Sequence, residues 1–162
     1  MNKLRLFITL CLVFWGLVLI PFIAFTNEGQ EPFQWYQVID NGFGEGIGDV
    51  IELTGFKGYL YSSGWTGEKA QIWRTADGWN WERVNLEEQL ELNTIYLLEV
   101  FDDYLYAGTV NRTTGAQLWR SPDGLNWELI VGNGFDHSNV GFYSMIEFNG
   151  YIYAGTWCDW GG

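Results

Sequence analysis

The feature that most constrains the fold is an internal repeat of about 46 residues. The segment from Gln71 to Glu82 reads QIWRTADGWNWE, and the segment from Gln117 to Glu128 reads QLWRSPDGLNWE. A second motif, Phe-x-x-Tyr-Leu/Ile-Tyr, occurs at Phe56–Tyr61, Phe101–Tyr106 and Phe148–Tyr153. Because self-similarity at such a period is typical of solenoids, propellers and arrays, the repeat indicates one of these architectures.

Each repeat carries the signals of four antiparallel strands. Apolar residues alternate ahead of the Phe, which predicts a first strand with one buried face. Two residues then reverse the chain, and Asn149-Gly150 is a strong type I′ hairpin signal. The Tyr-x-Tyr segment is the second strand, while Ile72-Trp73 and Asn80-Trp81-Glu82 indicate the third and fourth. Four strands in such a period match the size of a β-propeller blade, so we predict an all-β chain of propeller-type blades. The alternating pairs are Ile51 and Leu53, Tyr96 and Leu98, and Tyr143 and Met145.

The composition agrees with many short strands and excludes one class of partner. The chain has ten Trp, nine Tyr, eleven Phe and 21 Gly; aromatic residues favour strands and glycines favour tight turns. The formal net charge is −12, and a nucleic-acid-binding protein needs a basic face. We therefore expect no nucleic-acid partner.

The Asp-Gly turns resemble those of a known family. Thr75 to Trp81 (TADGWNW) and Ser121 to Trp127 (SPDGLNW) are similar to the Asp-box of bacterial neuraminidase-type repeats, Ser/Thr-x-Asp-x-Gly-x-Thr-Trp. Here the box is one residue shorter between Asp and Trp, and Asn replaces the usual Thr. The resemblance covers residues 33–162 and implies a hairpin between the third and fourth strands of a propeller blade. It implies little about chemistry.

The residues of these turns are predicted to be structural. The aspartates can accept hydrogen bonds from backbone amides of their own turn, and the glycines permit positive φ. The tryptophans can pack over the hairpin and between neighbouring sheets. The predicted structural residues are Asp77, Gly78, Trp81, Asp123, Gly124 and Trp127.

The repeat also sets the expected domain boundaries. We predict an N-terminal segment at 1–26, a linker at 27–32 and a partial propeller at 33–162. Because propellers have about four to eight blades, we expect a fragment of a longer chain; the alternative is self-association that supplies the remaining blades. The expected units are a leading strand at 33–47, full units at 48–92 and 93–139, and a truncated unit at 140–162.

The N-terminal segment predicts export from the cytoplasm. Lys3 and Arg5 precede an uncharged apolar run from Leu6 to Phe25, which is long enough to cross a bilayer. Positive charge before the run places the remainder of the chain outside the cytoplasm. The run is either an uncleaved membrane anchor or a cleaved signal peptide.

The residues most suited to bind a ligand lie in the loop after the second strand, where the repeats differ. Aromatic side chains beside polar groups suit a glycan or a protein surface. At Trp157 and Trp160, shielding by a following blade is an equally good explanation. The candidate ligand-facing residues are Trp65, Asn111, Arg112, Trp157, Asp159 and Trp160.

These patterns favour a binding or scaffolding protein over an enzyme. A sialidase-like or other glycan-processing hydrolase is the alternative, since Asp-boxes occur in such enzymes. That chemistry needs an arginine cluster and a Tyr–Glu pair, but Arg74 and Arg120 occupy equivalent repeat positions, as scaffold residues would. We therefore predict no catalytic, cofactor or metal residue. At the acidic hairpin tip Asp102-Asp103 we expect a solvated turn, and a Ca²⁺ site is the alternative there.

Overall fold

The structure is a computed structural model that describes residues 36–38, 43, 49–66, 69–84, 94–135 and 139–158. The predicted anchor or signal segment at 1–26 and the linker at 27–32 lie outside the described residues. Of the predicted leading strand at 33–47, residues 36–38 and Phe43 are described, and none of them belongs to a strand. Among the described residues, no helix has the length and apolar composition needed to cross a bilayer.

The described part of the chain is all-β with antiparallel sheets, as predicted, and has no α-helix. The first four strands form one sheet in the order β1-β2-β3-β4. The next four form a second meander, β5-β6-β7-β8, to which the β9–β10 hairpin is joined through the single pair Val110 and Gly141. The strands are β1 (Asp49–Phe56), β2 (Tyr59–Trp65), β3 (Ala70–Thr75), β4 (Glu82–Val84), β5 (Thr94–Phe101), β6 (Tyr104–Val110), β7 (Leu118–Ser121), β8 (Glu128–Val131), β9 (Asn139–Phe148) and β10 (Tyr151–Cys158).

Three two-residue turns connect the first and second strands of successive units. In each turn both residues have positive φ, as a type I′ turn requires. Asn149 and Gly150 have φ of 52° and 77°, which confirms the turn predicted from this dipeptide. The other two turns are Lys57-Gly58 and Asp102-Asp103.

A β-bulge interrupts the first strand of each unit at the same place. In β5 the pairing with β6 passes from Ile95 directly to Leu97, which leaves Tyr96 as the extra residue. The corresponding extra residues are Ile51 in β1 and Tyr143 in β9. A bulge redirects the side chain of the inserted residue. The predicted alternation of Tyr96 with Leu98 on one buried face is therefore wrong.

Two apolar cores lie on the two faces of the second sheet. Ile95 and Leu98 of β5 point into the first core, whereas Leu97 points into the second. The first strand of this unit is thus buried on both faces rather than one, because β5 packs against the first sheet on one side and against β9 on the other. The first core contains Phe56, Tyr61, Ala70, Ile72, Val84, Ile95, Leu98, Leu105, Ala107 and Trp119; the second contains Leu97, Tyr106, Ala116, Leu118, Phe142 and Met145.

Candidate functional site

The first Asp-Gly turn, between β3 and β4, is held together by one carboxylate. Oδ1 of Asp77 accepts hydrogen bonds from the backbone N–H groups of Trp79 (2.8 Å) and Asn80 (2.7 Å). Its Oδ2 accepts one from the side-chain amide of Asn80 at 2.7 Å. Thr75 Oγ1 donates to Oδ1 at 2.9 Å and accepts from the N–H of Gly78 at 3.0 Å. The carboxylate therefore organises its own turn.

The second Asp-Gly turn, between β7 and β8, repeats this network atom for atom. Asp123 accepts from the N–H groups of Leu125 (2.8 Å) and Asn126 (2.7 Å), and from the Asn126 side chain at 2.7 Å. Ser121 takes the place of the threonine, with its Oγ accepting from Gly124 N–H at 2.8 Å. The glycines have φ of 79° at Gly78 and 75° at Gly124.

These hydrogen bonds lower the pKa of both aspartates. Donation from the backbone and then the side chain of Asn80, with Trp79 and Thr75 adding to it, holds the pKa of Asp77 well below its usual range. Donation from Asn126 and Leu125 lowers the pKa of Asp123 in the same way. Both groups are therefore charged acceptors at neutral pH, which is unlike a catalytic acid.

The tryptophans of the two turns pack against other rings or the core. Trp81 meets Phe43 edge to face, with ring centroids 5.1 Å apart, and Phe43 also stacks on Trp73 at 4.8 Å. Trp127 packs against the first core. The indole Nε1 atoms of Trp81 and Trp127 are both buried without a hydrogen-bond partner, which costs free energy that ring packing must offset.

Next to each Asp-Gly turn, an arginine lies between a tyrosine ring and a glutamate. The guanidinium of Arg74 lies 4.3 Å from the ring centroid of Tyr59 and pairs with Glu82. Arg120 lies 4.7 Å from the Tyr104 ring and pairs with Glu128. The first arrangement borders an open depression of about 310 Å³. Its lining residues are Tyr59, Arg74, Thr75, Ala76, Asp77, Asn80, Trp81 and Glu82.

A different set of side chains meets at the opposite end of the sheets. Tyr96 and Tyr143 have ring centroids 5.1 Å apart, and Tyr143 meets Trp157 at 6.1 Å with the planes at 78°. The guanidinium of Arg112 lies 4.8 Å from the Trp157 ring centroid. We call Tyr96, Tyr143, Trp157 and Arg112 the aromatic row. Since Ser121 pairs with Leu105 at the start of β6 whereas Arg112 follows its end, the row and the Asp-Gly turns lie at opposite ends.

The aromatic row depends on the β-bulges. Tyr96 and Tyr143 are the extra residues of β5 and β9, and a bulge turns such a side chain away from the regular strand face. The two strands belong to adjacent units, so the equivalent residues meet where the units pack together. Tyr143 remains 47 % exposed, which leaves part of the row open to solvent.

Of the residues predicted to face a ligand, the structure brings Arg112 and Trp157 together. Trp65 ends β2 in the first sheet, opposite Asp49 and Ala70, and among the described rings it makes no stacking pair with the row. Asp159 and Trp160 lie outside the described residues.

Asn111 is placed differently from the prediction. Its side chain is buried, and Oδ1 accepts hydrogen bonds from the N–H groups of Thr113 (2.8 Å) and Thr114 (2.9 Å). Its own N–H donates to the carbonyl of Val140 at 2.8 Å. Asn111 therefore shapes the loop that carries Arg112 and does not itself face a ligand, because an Asn side chain readily caps its own turn.

Tyr96 and Tyr143 are not among the residues predicted from the sequence to face a ligand. Both were assigned to a buried strand face, although they occupy equivalent positions ahead of the repeated Phe-x-x-Tyr motif. The occurrence of tyrosine at the same repeat position in two units was the one sequence pattern that could have indicated a shared surface. Among the described residues, no group of three His, Cys, Asp or Glu side chains is placed to hold a metal ion.

Comparison with known proteins gives no relative for this chain. It matches no family model, no curated protein and no solved structure. The resemblance of its Asp-Gly turns to Asp-boxes therefore rests on the sequence of the turns alone.

Proposed function

We propose that this chain is part of an extracytoplasmic, membrane-tethered β-propeller repeat protein that binds a glycan. The tether is the apolar segment from Leu6 to Phe25, and its support is the sequence alone. The binding surface is the aromatic row. In a binding protein the repeated sheets serve as a scaffold, and ligand contacts concentrate on the loops at one end.

Three features support the propeller. The two complete units are four-stranded antiparallel meanders, successive units pack face to face, and each Asp-Gly turn joins the third strand to the fourth. This is the arrangement of neighbouring propeller blades. The equivalent ion pairs of Arg74 with Glu82 and Arg120 with Glu128 favour a scaffold over a hydrolase, because a hydrolase would gather these arginines around its substrate.

One observation carries the glycan proposal: a partly exposed row of aromatic rings lies beside a cation. Tyr143 is part exposed, Trp157 lies edge-on to it, and Arg112 covers the Trp157 ring. Sugar rings present apolar C–H faces that pack on aromatic rings, while their hydroxyl groups need hydrogen-bond donors and acceptors. The phenol of Tyr143 and the guanidinium of Arg112 can provide those polar contacts.

A glycan array probed with the full chain in mild detergent tests this function. We expect a defined set of glycans to bind, and Trp157→Ala and Tyr143→Ala to weaken binding at least about tenfold, as loss of a central aromatic anchor does. Trp79→Ala is the matched control, because Trp79 is an exposed ring at the Asp-Gly end. Failure to bind any glycan, or equal losses in Trp79→Ala and Trp157→Ala, would contradict the proposal.

A further inference from the structure

The two outermost sheet faces of the described region are apolar and uncovered. The front face, on the first sheet, consists of Val50, Leu53 and Leu60, together with Trp73, which Phe43 covers. The back face, on the β9–β10 hairpin, consists of Ile146, Phe148, Tyr151 and Tyr153. All of these except Trp73 are exposed, and apolar surface of this extent is uncommon on an isolated monomer.

The residues of the front face occupy the same repeat positions as residues of the second unit that are buried in the first core. Leu53 in β1 corresponds to Leu98 in β5, but Leu53 is 55 % exposed and Leu98 is 2 % exposed. The reason is that β5 packs against the first sheet, whereas nothing in the described region packs against β1 at Leu53. Val50 and Leu60 correspond in the same way to the fully buried Ile95 and Leu105.

The back face likewise corresponds by repeat position to the face of the first sheet against which β5 packs. Tyr61 is fully buried in the first core, whereas its equivalent Tyr153 is 54 % exposed. The rings of Phe56 and Tyr61 lie 6.2 Å apart at 58°. Those of Phe148 and Tyr153 lie 6.3 Å apart at 61°. The exposed pair therefore already has the geometry that the buried pair uses to pack against the next sheet.

The internal contact between the first and second sheets also involves the second Asp-Gly turn. Tyr61 Oη lies 3.5 Å from the carbonyl oxygen of Asp123, and Lys57 Nζ donates to the carbonyl of Pro122 at 2.6 Å. A Cβ at Gly124 would overlap the Tyr61 hydroxyl, whereas a Cβ at Gly78 would meet nothing within 4 Å. The space beside Gly78 in the first turn is thus open, whereas the equivalent space beside Gly124 in the second turn is filled by Tyr61.

We propose that the front face of one copy of this chain docks on the back face of a second copy, head to tail. The contact repeats the internal one between the first and second sheets, with Leu53 packing against Phe148 and Tyr153 of the other copy. Tyr153 then lies beside Gly78 as Tyr61 lies beside Gly124. Since the two faces differ, the contact is heterologous and builds a ring or a chain of copies. It depends on the sheet packing and not on the glycan site, so either proposal can fail without the other.

The test is a light-scattering mass measurement on the full chain in mild detergent over a dilution series. We expect wild type to be at least dimeric, and Leu53→Glu and Phe148→Glu each to raise the apparent dissociation constant at least about tenfold, since each buries an unpaired charge. A one-to-one mixture of the two variants should regain a dimer, because the front face of Phe148→Glu and the back face of Leu53→Glu are both intact. Leu125→Glu, an exposed turn residue on neither face, is the matched control.

The mixing step separates docking from misfolding, because a misfolded variant cannot restore the complex. A monomeric wild type at every concentration would overturn the proposal. So would a mixture that stays monomeric, or one variant that dissociates while the other keeps wild-type association, since that pattern belongs to a contact between two identical faces. If Leu125→Glu weakened the association as much as Leu53→Glu and Phe148→Glu do, that result would also contradict the proposal.

Discussion

At the scale of single residues, the two Asp-Gly turns explain why so many positions coincide between the repeats. Each side chain makes the same hydrogen bonds in both turns: the hydroxyl of Thr75 or Ser121 accepts from the glycine N–H and donates to the aspartate, and the aspartate accepts from the next two backbone amides. Asn80 and Asn126 stand where the Asp-box pattern has Thr. Their side-chain amides donate to the second aspartate oxygen in both turns, which gives a physical reason for that difference.

The lowered pKa of these aspartates predicts a specific loss of stability in acid. The folded pKa of Asp77 and Asp123 lies below the unfolded value of about 3.9. The unfolded state therefore binds more protons, so their contribution to the free energy of unfolding is present above about pH 4 and is lost as the pH falls further. We expect the double variant Asp77→Asn/Asp123→Asn to show a shallower decline in unfolding free energy between about pH 4 and 2.

Urea unfolding at a series of pH values measures this slope. The variant Asp102→Asn/Asp103→Asn removes two carboxylates from a hairpin tip and controls for the change in net charge. Parallel declines in wild type and in the Asp77→Asn/Asp123→Asn variant would show that the turns are not a source of the acid sensitivity.

At the scale of strands, the β-bulges decide which side chains reach the core. Without Tyr96, the alternation of β5 would still place Ile95 and Leu98 on one face and Leu97 on the other. Deleting Tyr96 should therefore lower the free energy of unfolding by only about 1 kcal/mol, the value of a lost ring contact. Deleting Glu99 should cost at least about 3 kcal/mol, because it moves Leu97 and Leu98 to the wrong faces.

Chemical denaturation of the two deletion variants gives the comparison. The Tyr96 deletion also removes one ring of the aromatic row, so it should weaken glycan binding while the sheet survives. Equal destabilisation by both deletions would contradict the role of the bulge.

The strand scale also shows what could be predicted from the sequence. The Asn149-Gly150 turn is encoded by adjacent residues, and the structure confirms it. The bulge at Tyr96 is not encoded locally, since it appears only when β5 pairs with β6 and packs between two cores. For this reason the meeting of Tyr96 with Tyr143 was missed. Arg112 and Trp157 were selected because the loops differ between repeats, whereas the capping role of Asn111 was overlooked.

At the scale of the whole molecule, the contact of one sheet with the next turn sets the cost of changing a glycine. Gly78→Ala places a Cβ in open space and should cost about 1–2 kcal/mol from the left-handed backbone alone. Gly124→Ala has the same backbone cost, and its Cβ also overlaps Tyr61, which adds about 1–3 kcal/mol of overpacking. Urea midpoints and slopes, measured at dilutions where the copies are separate, should rank wild type, Gly78→Ala and Gly124→Ala in that order.

Equal destabilisation of the two variants would contradict this expectation, because both glycines have nearly the same φ and only Gly124 adjoins Tyr61. A Gly78→Ala variant as unstable as Gly124→Ala would mean that Tyr61 gives way without cost. The inter-sheet contact would then contribute little to the fold.

The meander topology has a consequence for how the chain acquires its structure. In β1 to β4, and again in β5 to β8, every strand pairs with its neighbour in sequence, so the backbone contacts within a sheet close short loops. Short loops lose little entropy on closure and form quickly. A polypeptide synthesised from its N-terminus can therefore complete its first sheet before its second is available. The finished sheet would then present Phe56 and Tyr61 as a template on which the second is assembled.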